Sequence, residues 1–454
     1  MERLTDPPAP LPSPPDAPLV RRFRSRVGDH VLLVPGSRIY DLTGADGNGE
    51  PDEEIDHLVS AVADTLLLDG AAAGSLSQVV VPAPQSISLN VSSSCNLACS
   101  YCYAARGGFE GAQPKPMRWE TARAAIDQLL AEADTDAPLT IGFLGGEPFV
   151  NRNLLHQAVA YATDAGKRAG LDVRFSVTTN ATLLDDDDRQ LLRSHPFAVT
   201  VSVDGDAPTH ERLRPFVRGP GNGAGSHARL REAIAPLLAD PGQAHIAARA
   251  TITRMQLDLP RAFDAILSLG FEEVGFAPLR RGPEGSGALQ DADWPVYLRS
   301  LSDLARRELA RIPAGGALRL TNLAVALKQL HRGASSPYPC GAGGGYHSVA
   351  ANGDWYTCHR AIGNADFKVG DSNSLQRERR TRFLQQRHVH AQTQCASCWA
   401  RYLCAGGCHQ EAAQRTEASC DFIRNWLEFC LAAYCELGTS HPDWFDACAS
   451  TSHT

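Results

Sequence analysis

The stretch SISLNVSSSCNLACSYC, residues 86–102, decides how this chain is read. Its first part, SISLNVS (86–92), is a short run of β-type residues. Cys95, Cys99 and Cys102 follow at the end of that strand. Spacings of four and three would put the thiols on one helical face. Ser92-Ser93-Ser94 and Asn96 make their own local hydrogen bonds and favour a loop instead. Three soft thiolates suit a four-iron cluster better than a hard cation. A cubane with three cysteine ligands leaves one iron open, and that iron can bind an outside ligand. Zinc normally recruits a fourth protein ligand, which this stretch does not offer.

Downstream of this strand, β-type and helical patterns alternate. Strands are expected at 86–92, 139–145, 173–180, 198–205, 245–253 and 274–279. Helical spacing appears at Trp119–Ala133, Leu154–Ala169, Arg229–Leu238 and Leu259–Leu269. Such alternation predicts an α/β fold, with a parallel sheet, helices outside it and ligands at the carboxyl ends of the strands. Six strands fall short of a closed eight-fold barrel, so a partial (β/α)6 TIM-like barrel over 82–290 is expected.

The strand ends carry polar residues. Gly145, Gly146, Glu147 and Pro148 end the second strand; the glycines let backbone approach a ligand, and Glu147 can accept from an ammonium group. Thr179 and Asn180 end the third, and Ser202, Asp204 and Gly205 end the fourth. Arg249 lies in the fifth, where a guanidinium can pair a carboxylate. Each is an ordinary turn signal alone; four in succession after a CxxxCxxC are not.

On either side of the barrel the composition changes. Residues 1–18 hold seven prolines and read as a disordered arm. Val31–Val34 and Arg38–Leu42 flank Pro35-Gly36-Ser37 as in a hairpin. Asp52–Leu68 has helical spacing, and Ala71–Ser77 reads as a linker. Residues 19–77 thus form a small N-terminal α+β module. Residues 291–335 form a helical linker with a break near Pro313–Gly316. Residues 336–454 form a cysteine-rich C-terminal domain whose last helix spans Cys420–Leu437.

The second cysteine set reads Cys340-x12-Gly353-x4-Cys358, then Cys395-x2-Cys398-x5-Cys404-x3-Cys408, then Cys420. A structural zinc ribbon uses four thiolates and strands the rest. Seven suit two cubanes better, one fully ligated and one incomplete. Cys430 sits among Ile423, Trp426, Leu427 and Tyr434, as a core thiol would. The basic run at 377–388 reads as a solvated helix face.

Composition sets the outer bounds. Of 454 residues, 43 are Lys or Arg and 51 are Asp or Glu, a net charge of −8, which argues against a nucleic-acid partner. No apolar run approaches the ~18 residues that span a bilayer. The opening MERLTDPPAPLPSPPDAP has charge and proline where an export signal needs an apolar stretch. The expectation is a cytoplasmic chain without a membrane partner, whose thirteen cysteines bind metal rather than form disulfides.

Over roughly 85–285 the motifs resemble the radical S-adenosylmethionine superfamily: CNLACSYC as the cluster motif, with Tyr101 before its last cysteine, and LGGEP as the motif for the amino group of the cosubstrate. By that resemblance Tyr101, Gly145, Gly146, Glu147, Asn180, Ser202 and Arg249 would bind S-adenosylmethionine. Reductive cleavage to methionine and a 5′-deoxyadenosyl radical is implied. The string over 340–420 resembles the SPASM extension. Carried over, Cys340, Cys358 and Cys408 would hold one auxiliary cluster; Cys395, Cys398, Cys404 and Cys420 would hold another. That implies three 4Fe–4S clusters in all.

CxxCWARYLCAGGCHQEA with CDFIRNWLEFC is similar to maturases of the quinohemoprotein amine dehydrogenase type. The implied function is a peptide maturase that crosslinks Cys sulfur to a carbon centre. Its expected partners are a precursor peptide, with 19–77 as a recognition module, and an electron donor such as flavodoxin or ferredoxin. Three alternatives remain: a carbon–carbon crosslinking or epimerising maturase, a formylglycine-forming sulfatase maturase, and a non-enzymatic metal scaffold. The residues assign no catalytic proton acceptor.

Overall fold

The structure is a computed structural model that describes residues 17–42, 79–108, 115–218, 223–333, 335–371 and 374–445. The expected helix at 52–68, the linker at 71–77, Cys448 and nearly all of the proline-rich arm lie outside the described residues. Contacts divide the described chain into two compact units. The larger holds 82–324 and 341–380; the smaller holds the described residues within 1–81, 325–340 and 381–453.

In the larger unit, six parallel strands run side by side in chain order: β4 (Ser86–Ser92), β5 (Leu139–Gly145), β6 (Val173–Thr179), β7 (Phe197–Ser202), β8 (His245–Ile252) and β9 (Val274–Pro278). Each lies within a few residues of its expected position. Crossover helices include α1 (Trp119–Glu132), α2 (Arg152–Ala169), α3 (Asp186–Ser194), α4 (Ala207–Leu213), α5 (Ser226–Ala239) and α6 (Leu259–Leu267). Their apolar stripes face inward: α1 buries Ala122, Ala125, Ile126 and Leu129. The starts are written locally. Asp185 and Asp188 form a capping box on α3, and Asp206 caps α4 ahead of Pro208. Phe143, Phe175 and Phe197, on three adjacent strands, form one aromatic cluster, with ring centroids 5.2–6.4 Å apart.

The sheet does not stop at β4. β10 (Tyr346–Val349) pairs with β4 in parallel, and β11 (Trp355–Tyr356), β12 (Lys368–Asp371) and β13 (Ser374–Leu375) continue it antiparallel to a total of ten strands. Compactness therefore divides the chain differently from the composition boundary at 336. The cause is main-chain pairing: β4 would otherwise be an edge strand with unpaired N–H and C=O groups. Arg380, in the basic run, is also buried here. Its guanidinium donates to the carbonyls of Pro82, Gly343 and Gly344, so one member of the run is a structural pin.

In the smaller unit, β1 (Val20–Ser25), β2 (Gly28–Leu33) and β3 (Arg38–Leu42) form an antiparallel sheet, one strand more than the sequence suggested. Arginines at 21, 22 and 24 hide β1 from a pattern search. Its long helix, Glu417–Ser440, starts at a Thr416–Ser419 capping box and buries Cys430 completely. The N-terminal sheet is fastened to this C-terminal segment. Arg21 pairs with Glu428 at 2.8 Å and lies over the Trp399 ring, and Arg401 donates to the Pro18 carbonyl. Val34 packs with Val389 and Tyr402, against Cys395 and Trp399. Among the described residues, no helix is long and apolar enough to cross a membrane.

Candidate metal centre

Cys95, Cys99 and Cys102 sit in a loop at the carboxyl end of β4, as the serine and asparagine content predicts. Main-chain bonds to residues after α4 hold it open. Ala98 N–H donates to Pro215 at 2.7 Å, Ser100 N–H to Leu213 at 3.0 Å, and Val217 N–H back to Asn96 at 3.0 Å. Two sulfurs accept backbone N–H groups, Cys95 from Leu97 at 3.4 Å and Cys102 from Arg106 at 3.3 Å. Burial pushes the Cys95 thiol up to about 12 and raises Cys99 as well. Thiols so placed stay protonated at neutral pH unless a cation compensates them. The loop also holds a buried, orphaned donor beside Cys99: Arg214 Nε has no acceptor. Three electrostatically coupled thiols on one loop, N–H donors aimed at sulfur and an unused cationic donor fit a thiolate-ligated cluster.

The Gly-Gly-Glu-Pro turn after β5 clasps the strand end that leads into this loop. Gly146 N–H donates to Ser92 and Glu147 N–H to Ser94, at 2.8 and 3.0 Å. Gly145 has φ +148°, and a Cβ on it would lie 2.3 Å from the Ser92 carbonyl oxygen. On Gly146 a Cβ would lie 2.3 Å from the Ser94 carbonyl oxygen. Both glycines are thus required by the cluster loop itself, besides any approach to a ligand. Glu147 is buried and holds the end of β6. Its carboxylate accepts from Thr179 Oγ1 at 2.6 Å, Asn180 N–H at 2.8 Å and Phe149 N–H at 3.3 Å. A carboxylate has about four acceptor positions, so one remains for an ammonium group.

Burial raises the Glu147 carboxyl from 4.5 to about 7 despite those donors. The folded state then binds the proton more tightly than the unfolded one. Its contribution to stability is complete below 4.5 and is lost as pH rises through about 7, by up to about 3 kcal/mol. The urea midpoint of the wild type should therefore fall between pH 5.5 and 7.5 relative to that of Glu147→Gln. Parallel profiles for the two proteins would contradict the buried-carboxyl account.

The other cosubstrate candidates divide. Asn180 bonds Asn96 at 3.0 Å and reaches the Cys95 sulfur at 3.8 Å, so it braces the loop. Tyr101 is buried with Leu213 and Leu279, and its hydroxyl donates to Asp204. Ser202 and Arg249 are register partners across β7 and β8. Arg249 lies in electrostatic reach of Arg360 and Tyr297, and desolvation lowers its pKa. On the same unit, Arg360 stacks over Tyr103, beside Cys102. Tyr346 bonds both Ser88 and His359, whose imidazole burial lowers to about 4. Cys358 accepts from Arg360 N–H at 3.4 Å. Sequence reading missed Arg214, which follows α4 without any periodic or motif signal, and gave Asp204 no role.

In the smaller unit, Cys395, Cys398 and Cys420 all lie near enough to act electrostatically on the Cys404 thiol. Cys404 is pushed up to about 11, mainly by burial and further by the other three thiols. Arg415 donates to the Cys395 sulfur at 2.9 Å and to the Gly406 carbonyl at 2.5 Å. This arrangement fits a four-thiolate cluster with a cation in place. Cys340 and Cys408 belong to this unit, and Cys358 to the larger.

Among the described residues, the one group of three or more His, Cys, Asp or Glu ligand atoms within 4.8 Å of one another is His30, Asp41 and Cys435. Both nitrogens of His30 are already engaged, by Asp41 at 2.7 Å and Ser25 at 2.6 Å. Burial holds the Cys435 thiol up at about 12. The trio is better described as a hydrogen-bonded brace of the N-terminal sheet.

Comparison with known proteins agrees with this geometry. Residues 89–237 match the Radical SAM superfamily. The serine-type anaerobic sulfatase-maturating enzyme of Klebsiella aerogenes is 26% identical over 345 residues, 70% of this chain and 78% of that protein. Three other curated relatives match at 30–34% identity, but the chain spans only 33–44% of their length. Among solved structures, native anSMEcpe with bound AdoMet and Cp18Cys peptide superposes with TM-score 0.61 at 18% identity, covering 78% of this chain and 99% of that one. Streptococcus suis SuiB bound to its precursor peptide SuiA gives TM-score 0.50 at 14% identity, over 84% and 82%. At these identities the likeness is one of fold.

Proposed function

We infer that this chain, whose residues 89–237 are a Radical SAM superfamily domain, is a maturase that acts on a peptide or small protein. The observation that carries the reading is the pair of thiol sets, three in a loop at the end of β4 and four around Arg415. Cys95, Cys99 and Cys102 would hold the catalytic 4Fe–4S cluster. Cys395, Cys398, Cys404 and Cys420 would hold an auxiliary one. When bound, the catalytic cluster and S-adenosylmethionine supply reductive sulfonium cleavage and a radical that takes a substrate hydrogen atom.

The chain's own residues hold and orient. Gly145 and Gly146 set the distance between turn and cluster loop. Glu147 pins the β6 end with one acceptor position to spare, and Asn180 braces Cys95. Ser202 and Arg249 present adjacent polar groups where a cosubstrate carboxylate or hydroxyl would lie. A peptide substrate is supported by the shared fold with anSMEcpe and SuiB, both solved with peptides. The product proposed is a Cys thioether to a carbon centre, with a flavodoxin- or ferredoxin-type electron donor. The second reading, formylglycine formation, is favoured by the long alignment with the Klebsiella sulfatase maturase.

One assay separates these readings: anaerobic reaction with small peptides encoded beside this gene, followed by product mass. A thioether removes two hydrogens. Formylglycine made from Cys also exchanges sulfur for oxygen. Formylglycine made from Ser loses the same two hydrogens as a thioether and is told apart by hydrazide capture of its aldehyde. Epimerisation leaves the mass unchanged. Cosubstrate cleavage without change in any such peptide, with mass and stereochemistry both retained, would overturn the maturase reading. On the same preparation, Cys398→Ala should leave 5′-deoxyadenosine formation within about twofold of wild type yet lower the modified peptide at least about tenfold. Full modification by a variant verified to lack that cluster would make the site structural only.

A further inference from the structure

Beneath the three-cysteine loop lies a buried polar trio that the proposed function does not use. Tyr101 lies between Cys99 and Cys102 and is 7% exposed; Asp204 follows β7 and is 0% exposed; Arg214 follows α4 and is 8% exposed. Arg214 Nη1 donates to Tyr101 Oη at 2.5 Å, and Tyr101 Oη donates in turn to Asp204 Oδ2. Asp204 Oδ1 also accepts from Thr251 N–H at 3.0 Å, and Arg214 stands 3.9 Å from Asp204 Oδ2. Burial raises the Asp204 carboxyl, while Arg214, the Tyr101 hydroxyl and the Thr251 N–H all favour its charged form.

The main chain fixes this trio against the loop. Leu213 and Pro215, the neighbours of Arg214, take the N–H groups of Ser100 and Ala98. The arginine therefore cannot leave without unzipping that ladder. Arg214 and Asp204 both act electrostatically on the Cys99 thiol, with the arginine the stronger of the two. Its Nε remains buried without an acceptor. Burying a cation is costly unless something compensates it, and Asp204 sits at the long end of ion-pair distance.

We propose that Arg214 is a positioning residue that sets the reduction potential of the catalytic cluster, its cation making that cluster easier to reduce, with Asp204 as the opposing charge. This rests on the reading that Cys95, Cys99 and Cys102 hold the cluster. Reduction adds one electron, taken from the external donor, and so adds one negative charge close to Cys99. A fixed cation in a water-poor site stabilises the reduced form, and net charge is a principal lever on such potentials. Removing Arg214 also leaves Asp204 uncompensated, so both changes push the potential down. Removing the charge of Asp204 pushes it up. Opposite signs are the signature; a trio that only staples the loop would weaken cluster binding whichever member is lost.

The test is a redox titration of the full-length, anaerobically loaded protein, followed by electron paramagnetic resonance. The Cys95/Cys99/Cys102→Ala variant supplies the auxiliary signal to subtract. Arg214→Met should make reduction at least tenfold harder, a drop of 59 mV for a one-electron couple. Asp204→Asn, which keeps the shape, should raise the potential, and Arg214→Lys should stay within threefold of wild type. Shifts of the same sign in Arg214→Met and Asp204→Asn, or none beyond threefold with iron and sulfide retained, would overturn the proposal. If Arg214→Met loses its iron, Asp204→Asn decides alone, since an unchanged or lowered potential there contradicts it. If the triple variant keeps the whole wild-type signal, the cluster assignment itself falls, and this inference with it.

Discussion

Joint replacement of Cys95, Cys99 and Cys102 by Ala should remove about four irons per chain and abolish S-adenosylmethionine cleavage, while iron assigned to the C-terminal cysteines should remain. The loop has main-chain partners of its own in Leu213, Pro215 and Asn96, so its path does not depend on the thiols. Cys395, Cys398, Cys404 and Cys420 lie in the other compact unit. Iron and sulfide analysis together with 5′-deoxyadenosine chromatography on one preparation reads the result. Continued formation of 5′-deoxyadenosine would remove the catalytic assignment from these three residues.

Gly146→Val has the second largest effect, and the structure changes its meaning. From the motif alone, a side chain at Gly146 would block the cosubstrate and leave the cluster intact. The structure sets a Cβ at this position 2.3 Å from the Ser94 carbonyl oxygen and 2.6 Å from that of Arg106. Backbone cannot yield as a flexible side chain can, and Ser94 directly precedes Cys95. The variant should thus lose cluster iron as well as cosubstrate binding, with cleavage down roughly hundredfold or more. Full iron content with unchanged cosubstrate affinity would place the site elsewhere. Full iron content with lost affinity would restore the simpler motif reading.

The same contrast runs through the molecule. The six parallel strands were legible because each is an apolar run bounded by turn signals, and because the linking helices carry their stripes in local sequence. The CxxxCxxC loop was legible because three thiols beside helix-breaking residues have few other uses. Cys430 was legible as a core thiol from its apolar neighbours. β1 was not, since three arginines in five residues, Arg21 turned inward over Trp399 and Arg22 and Arg24 outward, break the apolar alternation. Arg380 was misleading for a related reason: a run of basic residues does not reveal which one turns inward to three carbonyls.

Fold class, the position of the polar strand ends and the two thiol sets follow from spacing, because strand and helix periods and ligand intervals are local properties of a chain. Three features follow only from tertiary structure. Residues 346–375 extend the barrel sheet because the free edge of β4 needs main-chain partners, which may come from any distance along the chain. The N-terminal strands are fastened to the Cys395 loop through Arg21, Val34 and Arg401, contacts that span more than 300 residues. Arg214 meets Tyr101 and Asp204 only because the residues after α4 hydrogen-bond to the cluster loop. Burial then makes a lone arginine, unremarked in the sequence, the strongest fixed charge acting on Cys99, since a charge counts for far more in a low-dielectric interior than the same residue does in water.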